Sequence, residues 1–151
     1  MATKYDAIVI GTGQAGPSLA VRLAETGMKV AIIERKRFGG TCVNNGCIPT
    51  KTLVASARTA HVARRAADYG VTIPGSIGVD MKKVKARKDA VVRQSSEGLQ
   101  KWLRDTQYLI VIEGHARFAG ASGSCRRRTS RGRQILYQRW RTRVYASAPG
   151  H

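Results

Sequence analysis

The sequence predicts an α/β fold whose parallel sheet is incomplete, followed by an irregular basic tail. Three observations carry this. A short apolar run, Ala7-Ile8-Val9-Ile10, ends in a glycine-rich turn. A second run, Lys29 to Glu34 (KVAIIE), follows one helix-length later. Strand, turn, helix and strand in succession make an opening βαβ unit, whose crossover implies parallel pairing. Near Ala119 the composition then changes and hydrophobic periodicity stops.

The elements follow in order. The first strand is expected over residues 6–10, apolar and ended by Gly11. A helix over 14–26 has Leu19, Val21, Leu23 and Ala24 as its apolar contacts and Gly27 as its stop. Residues 29–34 form the second buried strand. A loop over 35–40 leads into a helix that begins near Thr41 and runs past Pro49 to about Tyr69. Ala55, Ala57, Ala60, Ala63, Ala66 and Ala67 give it a smooth, close-packing surface. Pro74 and Gly78 mark the next loop, and Asp80 is placed to cap a helix over 81–104. A third strand is expected over 109–113.

Bulk properties bound the function. A chain of 151 residues is one domain's worth, and 42% hydrophobic with 24% charged is a globular balance. No apolar run is long enough to cross a bilayer. The opening apolar run is cut short by Gly11 with no small-residue cleavage site after it, so a cytosolic setting is expected. In that setting a cysteine pair is more often catalytic or metal-binding than structural. The net charge of +18 is unevenly spread. Residues 1–120 hold 19 Lys and Arg against all 9 acids, while residues 121–151 hold 8 arginines and no acid. The run Lys82, Lys83, Lys85, Arg87, Lys88 reads as a solvated helix face, and no stacking aromatics are interleaved with it to suggest nucleic-acid binding.

Two motifs carry chemistry. Gly11-Thr12-Gly13-Gln14-Ala15-Gly16 fits G-x-G-x-x-G between a strand and a helix, the context that a dinucleotide-binding turn requires. Gly11 makes the tight turn, Gly13 lets the backbone approach a pyrophosphate, and Gly16 packs helix on strand. Glu34, ending the second strand, can accept hydrogen bonds from an adenosine ribose. Which dinucleotide binds is left open by this pattern. Cys42 and Cys47, in Gly39-Gly40-Thr41-Cys42-Val43-Asn44-Asn45-Gly46-Cys47-Ile48-Pro49-Thr50-Lys51, admit three readings. They are two packed thiols, two metal ligands, or a disulfide that opens and closes. No second Cys or His pair has ligand spacing, and a helix N-terminus beside a sulfur favours its thiolate, which supports the redox reading.

From Lys4 to about Phe118 these motifs resemble the class I pyridine nucleotide-disulfide oxidoreductases, the group of mercuric reductase, lipoamide dehydrogenase and glutathione reductase. The resemblance implies a Rossmann-like FAD-binding domain, with FAD as the cofactor and NAD(P)H as co-substrate of a full-length form. It implies that Cys42 is the interchange thiol and Cys47 the charge-transfer thiol facing the flavin. Lys51 would sit near flavin N5 and stabilise its reduced form. Gly40 and Thr41 match cofactor-contacting positions, as does Ala15 within the glycine turn. Gly114-His115-Ala116 resembles a G-x-A segment whose alanine backbone meets the adenine, so His115 is not expected to be a catalyst and His61 is expected on a helix surface. Asn45 departs from the valine common in relatives. Members of the family are homodimers through a C-terminal interface domain, and neither that domain nor the NAD(P)H domain is expected within this chain. An incomplete sheet is expected to leave an apolar edge and face uncovered.

The expected organisation is therefore 1–118 as the N-terminal portion of the FAD domain and 119–151 as a disordered, frameshifted arginine-rich tail. The frameshift expectation comes from the genetic code. Reading the last two bases of each codon with the first of the next turns Trp140 (TGG) into glycine whichever arginine codon follows. The same shift permits residues 137–150 to spell I-N-V-G-A-R-x-x-x-P-x-x-P-G, the family's pattern with its spacing kept. The function expected is electron transfer through flavin to the Cys42–Cys47 disulfide, by a truncated fragment inactive alone. The alternative is a small basic non-enzymatic protein that keeps the fold to bind FAD, nucleic acid or a partner chain.

Overall fold

The fold, taken from a computed structural model, is described for residues 3–119, 122–125 and 130–137. The strands are β1 (Thr3–Ile10), β2 (Val30–Glu34), β3 (Leu109–Glu113), β4 (Ala116–Ala119), β5 (Ser122–Cys125) and β6 (Ser130–Tyr137). Four of them form one parallel sheet in the order β3-β2-β1-β6, and β4 pairs antiparallel with β5. The register sets Val9 beside Ile32 and Ile32 beside Val111. This is the Rossmann-like arrangement the βαβ pattern implies, and it is open at both edges among the described residues.

Helices α1 (Gly16–Glu25) and α4 (Met81–Asp105) cover one face. Alternate residues of the strands point there: Ala7 and Val9, Val30 and Ile32, and Leu109. Ala20, Val21 and Ala24 of α1 and Leu103 of α4 meet them, with Phe38 from the loop after β2. The spacing of the α1 residues is one helical stripe. Leu19 lies off that stripe and is exposed, contrary to its expected role as an apolar contact. Gly27, with φ of +85°, stops α1 as expected. Asp80 caps α4, its carboxylate accepting from the Lys82 and Lys83 amides.

The single helix expected from Thr41 to Tyr69 is divided. It consists of α2 (Gly40–Asn44), α3 (Cys47–Arg64) and a 3-10 turn over Ala66–Tyr69. Proline explains the break. A continuous helix would need an amide at position 49 to donate four residues back, and Pro49 has none. Restarting at Cys47 puts Pro49 in the first turn of α3, where no such donor is required. The alanine surface of this segment packs less than expected, since Ala55 and Ala57 on α3 and Ala67 in the 3-10 turn are exposed, and Thr52 is the one buried residue of α3. Arg87 of α4 donates to the Thr52 carbonyl at 3.0 Å, so part of the basic run clamps the two helices instead of facing only solvent. Lys85 and Lys88 both pair with Asp89, and their hydrogen bonds hold its carboxyl down to about 2.

Two strands lie within the segment expected to be irregular. β6 runs along β1 with Ala7 beside Gln134 and Ile10 beside Tyr137. A parallel ladder is made by backbone groups, so an arginine-rich segment can join the sheet without a hydrophobic period. The other face is also better covered than expected: Tyr5, Ile8, Ala31 and Ile33 are buried, with Ala116 packed against them. Ile110 on the edge strand β3 stays 44% exposed. Of residues 137–150, over which the shifted reading frame spells the family pattern, all but Tyr137 lie outside the described residues.

Leu103 is fully buried between α4 and the sheet, whereas Leu53 on α3 is 41% exposed. Leu103→Ala is expected to cost about 2–5 kcal/mol in chemical denaturation. Leu53→Ala should stay within about 0.5 kcal/mol.

Candidate functional site

The glycine turn leaves β1 at Gly11, whose φ is +98° and whose amide donates to the Ile33 carbonyl at 2.8 Å. That bond ties the turn to the end of β2, where Glu34 stands. Gly16 is buried at the start of α1, with Pro17 in its first turn and no capping side chain at Ala15. A phosphate can approach such a helix start from the turn side.

Glu34 is held from two directions. Its Oε2 accepts from the Thr12 amide at 3.0 Å and from the Thr12 hydroxyl at 2.7 Å. Its Oε1 accepts from the amides of Arg35 and Lys36 at 2.8 and 2.9 Å. The carboxylate therefore has a fixed rotamer before any ligand arrives. The Glu34 carbonyl accepts from the Gly114 amide at 2.8 Å, which brings the Gly114-His115-Ala116 segment to the same end of the sheet. Ala116 is half-buried there and His115 is exposed.

The cysteine segment docks on the turn through backbone contact. Gly40 has φ of +58°, and a Cβ on it would lie 3.0 Å from the Gly13 α carbon. Gly39, at φ of +92°, is equally confined, because a Cβ would meet Val43 at 2.5 Å. The Gly39 amide donates to both the carbonyl (3.1 Å) and the hydroxyl (3.2 Å) of Thr12. Asn44 closes α2, its Nδ2 donating to the carbonyls of Phe38 and Gly40 at 2.9 and 2.8 Å. Ser96 of α4 also donates to the Phe38 carbonyl, at 3.0 Å.

Position 46 brings the sulfurs together. A Cβ at Gly46 would lie 3.1 Å from the Thr41 carbonyl and 3.3 Å from the Cys42 α carbon. Glycine thus lets α3 start against α2, and the two free thiols stand in hydrogen-bond contact. Cys47 opens the 18-residue α3, while Cys42 is the third residue of the five-residue α2. The Cys42 thiol is pushed above its ordinary range, first by its hydrogen bond with Cys47, then by desolvation and the Cys47 charge. The expected thiolate stabilisation therefore does not apply to Cys42. Lys51 is exposed one helical turn beyond Cys47, on the same side of α3. Thr41 is exposed on α2, and His61 is exposed on α3.

A family model described as pyridine nucleotide-disulphide oxidoreductase matches residues 5–140. The chain belongs to that family. It is 38% identical over 122 residues to a dihydrolipoyl dehydrogenase of Bacillus subtilis, covering 81% of this chain and 25% of that protein. It is 40% identical over 99 residues to the dihydrolipoyl dehydrogenase of Acholeplasma laidlawii, covering 66% and 30%. Among solved structures it is similar to the Cu(II) complex of the HOCl-induced flavoprotein disulfide reductase RclA from Escherichia coli. That match has a TM-score of 0.76 at 34% identity and covers 98% of this chain and 31% of that one. The chain spans about a quarter to a third of the length of these relatives. The family works with FAD and takes NAD(P)H as substrate.

The structure gathers most of the motif residues at one end of the sheet. Gly11, Gly13, Ala15, Gly16 and Glu34 form one end, and Gly40, Thr41, Cys42 and Cys47 dock against it. Three residues went unsignalled. Thr12 occupies a position the glycine spacing leaves free, and Asn44 was read as helix interior. Ser96 lies on a distant helix, and no local pattern points to it.

The pH dependence of thiol alkylation checks the cysteine contact. In reduced protein, Cys42 should alkylate with an apparent pKa above the ordinary thiol value. Cys47→Ala removes both the hydrogen bond and the charge, so the profile should move to lower pH. An unmoved profile would place the two sulfurs apart.

Proposed function

We propose that this chain is the FAD-binding, disulfide-bearing portion of a flavoprotein disulfide reductase. One observation carries the reading: a dinucleotide turn and a contacting cysteine pair are locked together through Gly13, Gly40 and the Thr12–Gly39 hydrogen bonds. The residues fit FAD. Gly40, at φ of +58° and with its Cβ position 3.0 Å from the Gly13 α carbon, keeps a side chain off the turn that would face a pyrophosphate, and Glu34 is already oriented for a ribose. Gly11, Gly13, Ala15 and Gly16 would hold the diphosphate, Glu34 and Ala116 the adenosine, and Gly40, Thr41 and Lys51 the flavin side. Bound FAD supplies a two-electron relay between NAD(P)H and sulfur.

The chain's own residues do the thiol chemistry. Opening the Cys42–Cys47 disulfide takes two electrons and two protons and leaves two thiols. Cys42, the interchange thiol, loses its proton and attacks a substrate disulfide, expelling one substrate thiol. Cys47 then attacks the mixed disulfide at Cys42, which restores the intrachain bond and releases the second substrate thiol. A cytosolic setting suits a pair that cycles in this way.

Turnover with NAD(P)H is not expected of these 151 residues alone, because most of each relative's length lies outside the match. The arginine-rich tail is read as the out-of-frame translation of a family gene, shifted between Ala119 and Arg133. The forced glycine at Trp140, in register with the family's spacing, supports this. Resequencing the DNA from codon 115 onward tests it. A single-base correction that yields family sequence upholds the shift, and an intact frame with nothing family-like in the others removes it.

Titration of the purified chain with FAD is expected to give one FAD per chain and no NADH oxidation above free flavin. Gly40→Val, which puts a branched side chain at φ of +58° beside Gly13, should reduce that affinity at least tenfold. Undiminished FAD binding by Gly40→Val, or none by the parent chain, contradicts the assignment.

A further inference from the structure

We infer that the Thr12 hydroxyl is a positioning residue that aims Glu34 at the adenosine ribose and keys the redox segment to the same point. The inference rests on the FAD reading above and adds a residue to it. Thr12 is completely buried, although its side chain is polar. A buried hydroxyl needs partners, and this one has two of different kinds. It donates to Glu34 Oε2 at 2.7 Å and accepts from the Gly39 amide at 3.2 Å. One oxygen therefore joins three segments: the glycine turn, the end of β2, and the residue before the helix that carries Cys42.

The direction of the first bond matters. An ionised carboxylate only accepts, so the hydroxyl proton must point at Glu34, which leaves the oxygen lone pairs for Gly39. Bonds to a charged acceptor are the strong kind. With Thr12 on Oε2 and two backbone amides on Oε1, Glu34 has no rotamer entropy left to lose when a ribose binds. Binding strength thus depends on a residue that the ligand does not touch.

Replacing the hydroxyl by a methyl should leave the fold intact. In Thr12→Val the Gly39 amide keeps the backbone carbonyl of residue 12, at 3.1 Å, and Glu34 keeps the backbone amides. What is lost is the side-chain bond that fixes the carboxylate and the second acceptor for Gly39.

The test is FAD affinity, by flavin fluorescence, of the full chain and of Thr12→Val, Thr12→Ser, Glu34→Gln and the double variant Thr12→Val/Glu34→Gln. Circular dichroism of each apo chain reports the fold. Thr12→Val is expected to bind about tenfold more weakly. Thr12→Ser, which keeps the hydroxyl, should stay within about threefold of the parent. The double variant should bind no more weakly than Glu34→Gln alone, because both changes remove one interaction. Equal binding by Thr12→Val, no rescue by serine, or additive losses in the double variant would overturn the inference while leaving the FAD reading in place. Loss of the folded signature in Thr12→Val would mark a folding role and overturn it too. A parent chain that binds no FAD removes both readings together.

Discussion

A methyl group on residue 40 would come within 3.0 Å of the Gly13 α carbon, and this confinement governs the rest of the site. Gly13 belongs to the turn after β1, and Gly40 to the first residue of α2. A side chain on residue 40 would crowd the Gly13 backbone and would sit at a φ of +58° that L residues rarely adopt, so the two loops meet backbone to backbone. The Gly39 amide, bonded to Thr12, fixes the same meeting from one residue earlier. Everything that follows in sequence, from Cys42 to Lys51, is positioned by that approach. A nucleotide turn and a thiol pair far apart in the chain become one surface because glycine stands on both sides of it.

Electrostatics then separate two thiols that a sequence motif presents as a pair. Cys47 opens a long helix, and Cys42 sits in a single short one. Their hydrogen bond keeps the proton on Cys42 to higher pH. Gly46 contributes from the backbone, since a Cβ there would crowd the Thr41 carbonyl and the Cys42 α carbon where α3 starts.

The parts legible in the sequence were those with a short-range physical code. The βαβ unit was readable because apolar runs and glycines punctuate it, and β3 agreed with its expected span. The break between α2 and α3 was hidden because the alanine-rich segment outweighed Pro49, though Asn44, Gly46 and Pro49 together carried the signal. Thr12 was invisible because the glycine motif treats its position as free; only three-dimensional contact with Glu34 and Gly39 gives it a role. β6 could not be read because its pairing with β1 is a backbone property, and arginine-rich sequence carries no period to announce it. The lysine and arginine run on α4 looked like a solvated face because nothing local shows that Arg87 reaches across to Thr52.

The central claim is that the cysteine pair and the cofactor share one site, with Cys47 as the sulfur that faces the flavin. Visible absorbance of the FAD-loaded chain under limited, oxygen-free reduction by a dithiol tests it most directly. The account predicts a long-wavelength charge-transfer shoulder beside the oxidised flavin bands, present without any reductant in Cys42→Ala and absent in Cys47→Ala. Spectra that keep the plain flavin bands in every variant, or a shoulder that survives Cys47→Ala, would contradict it.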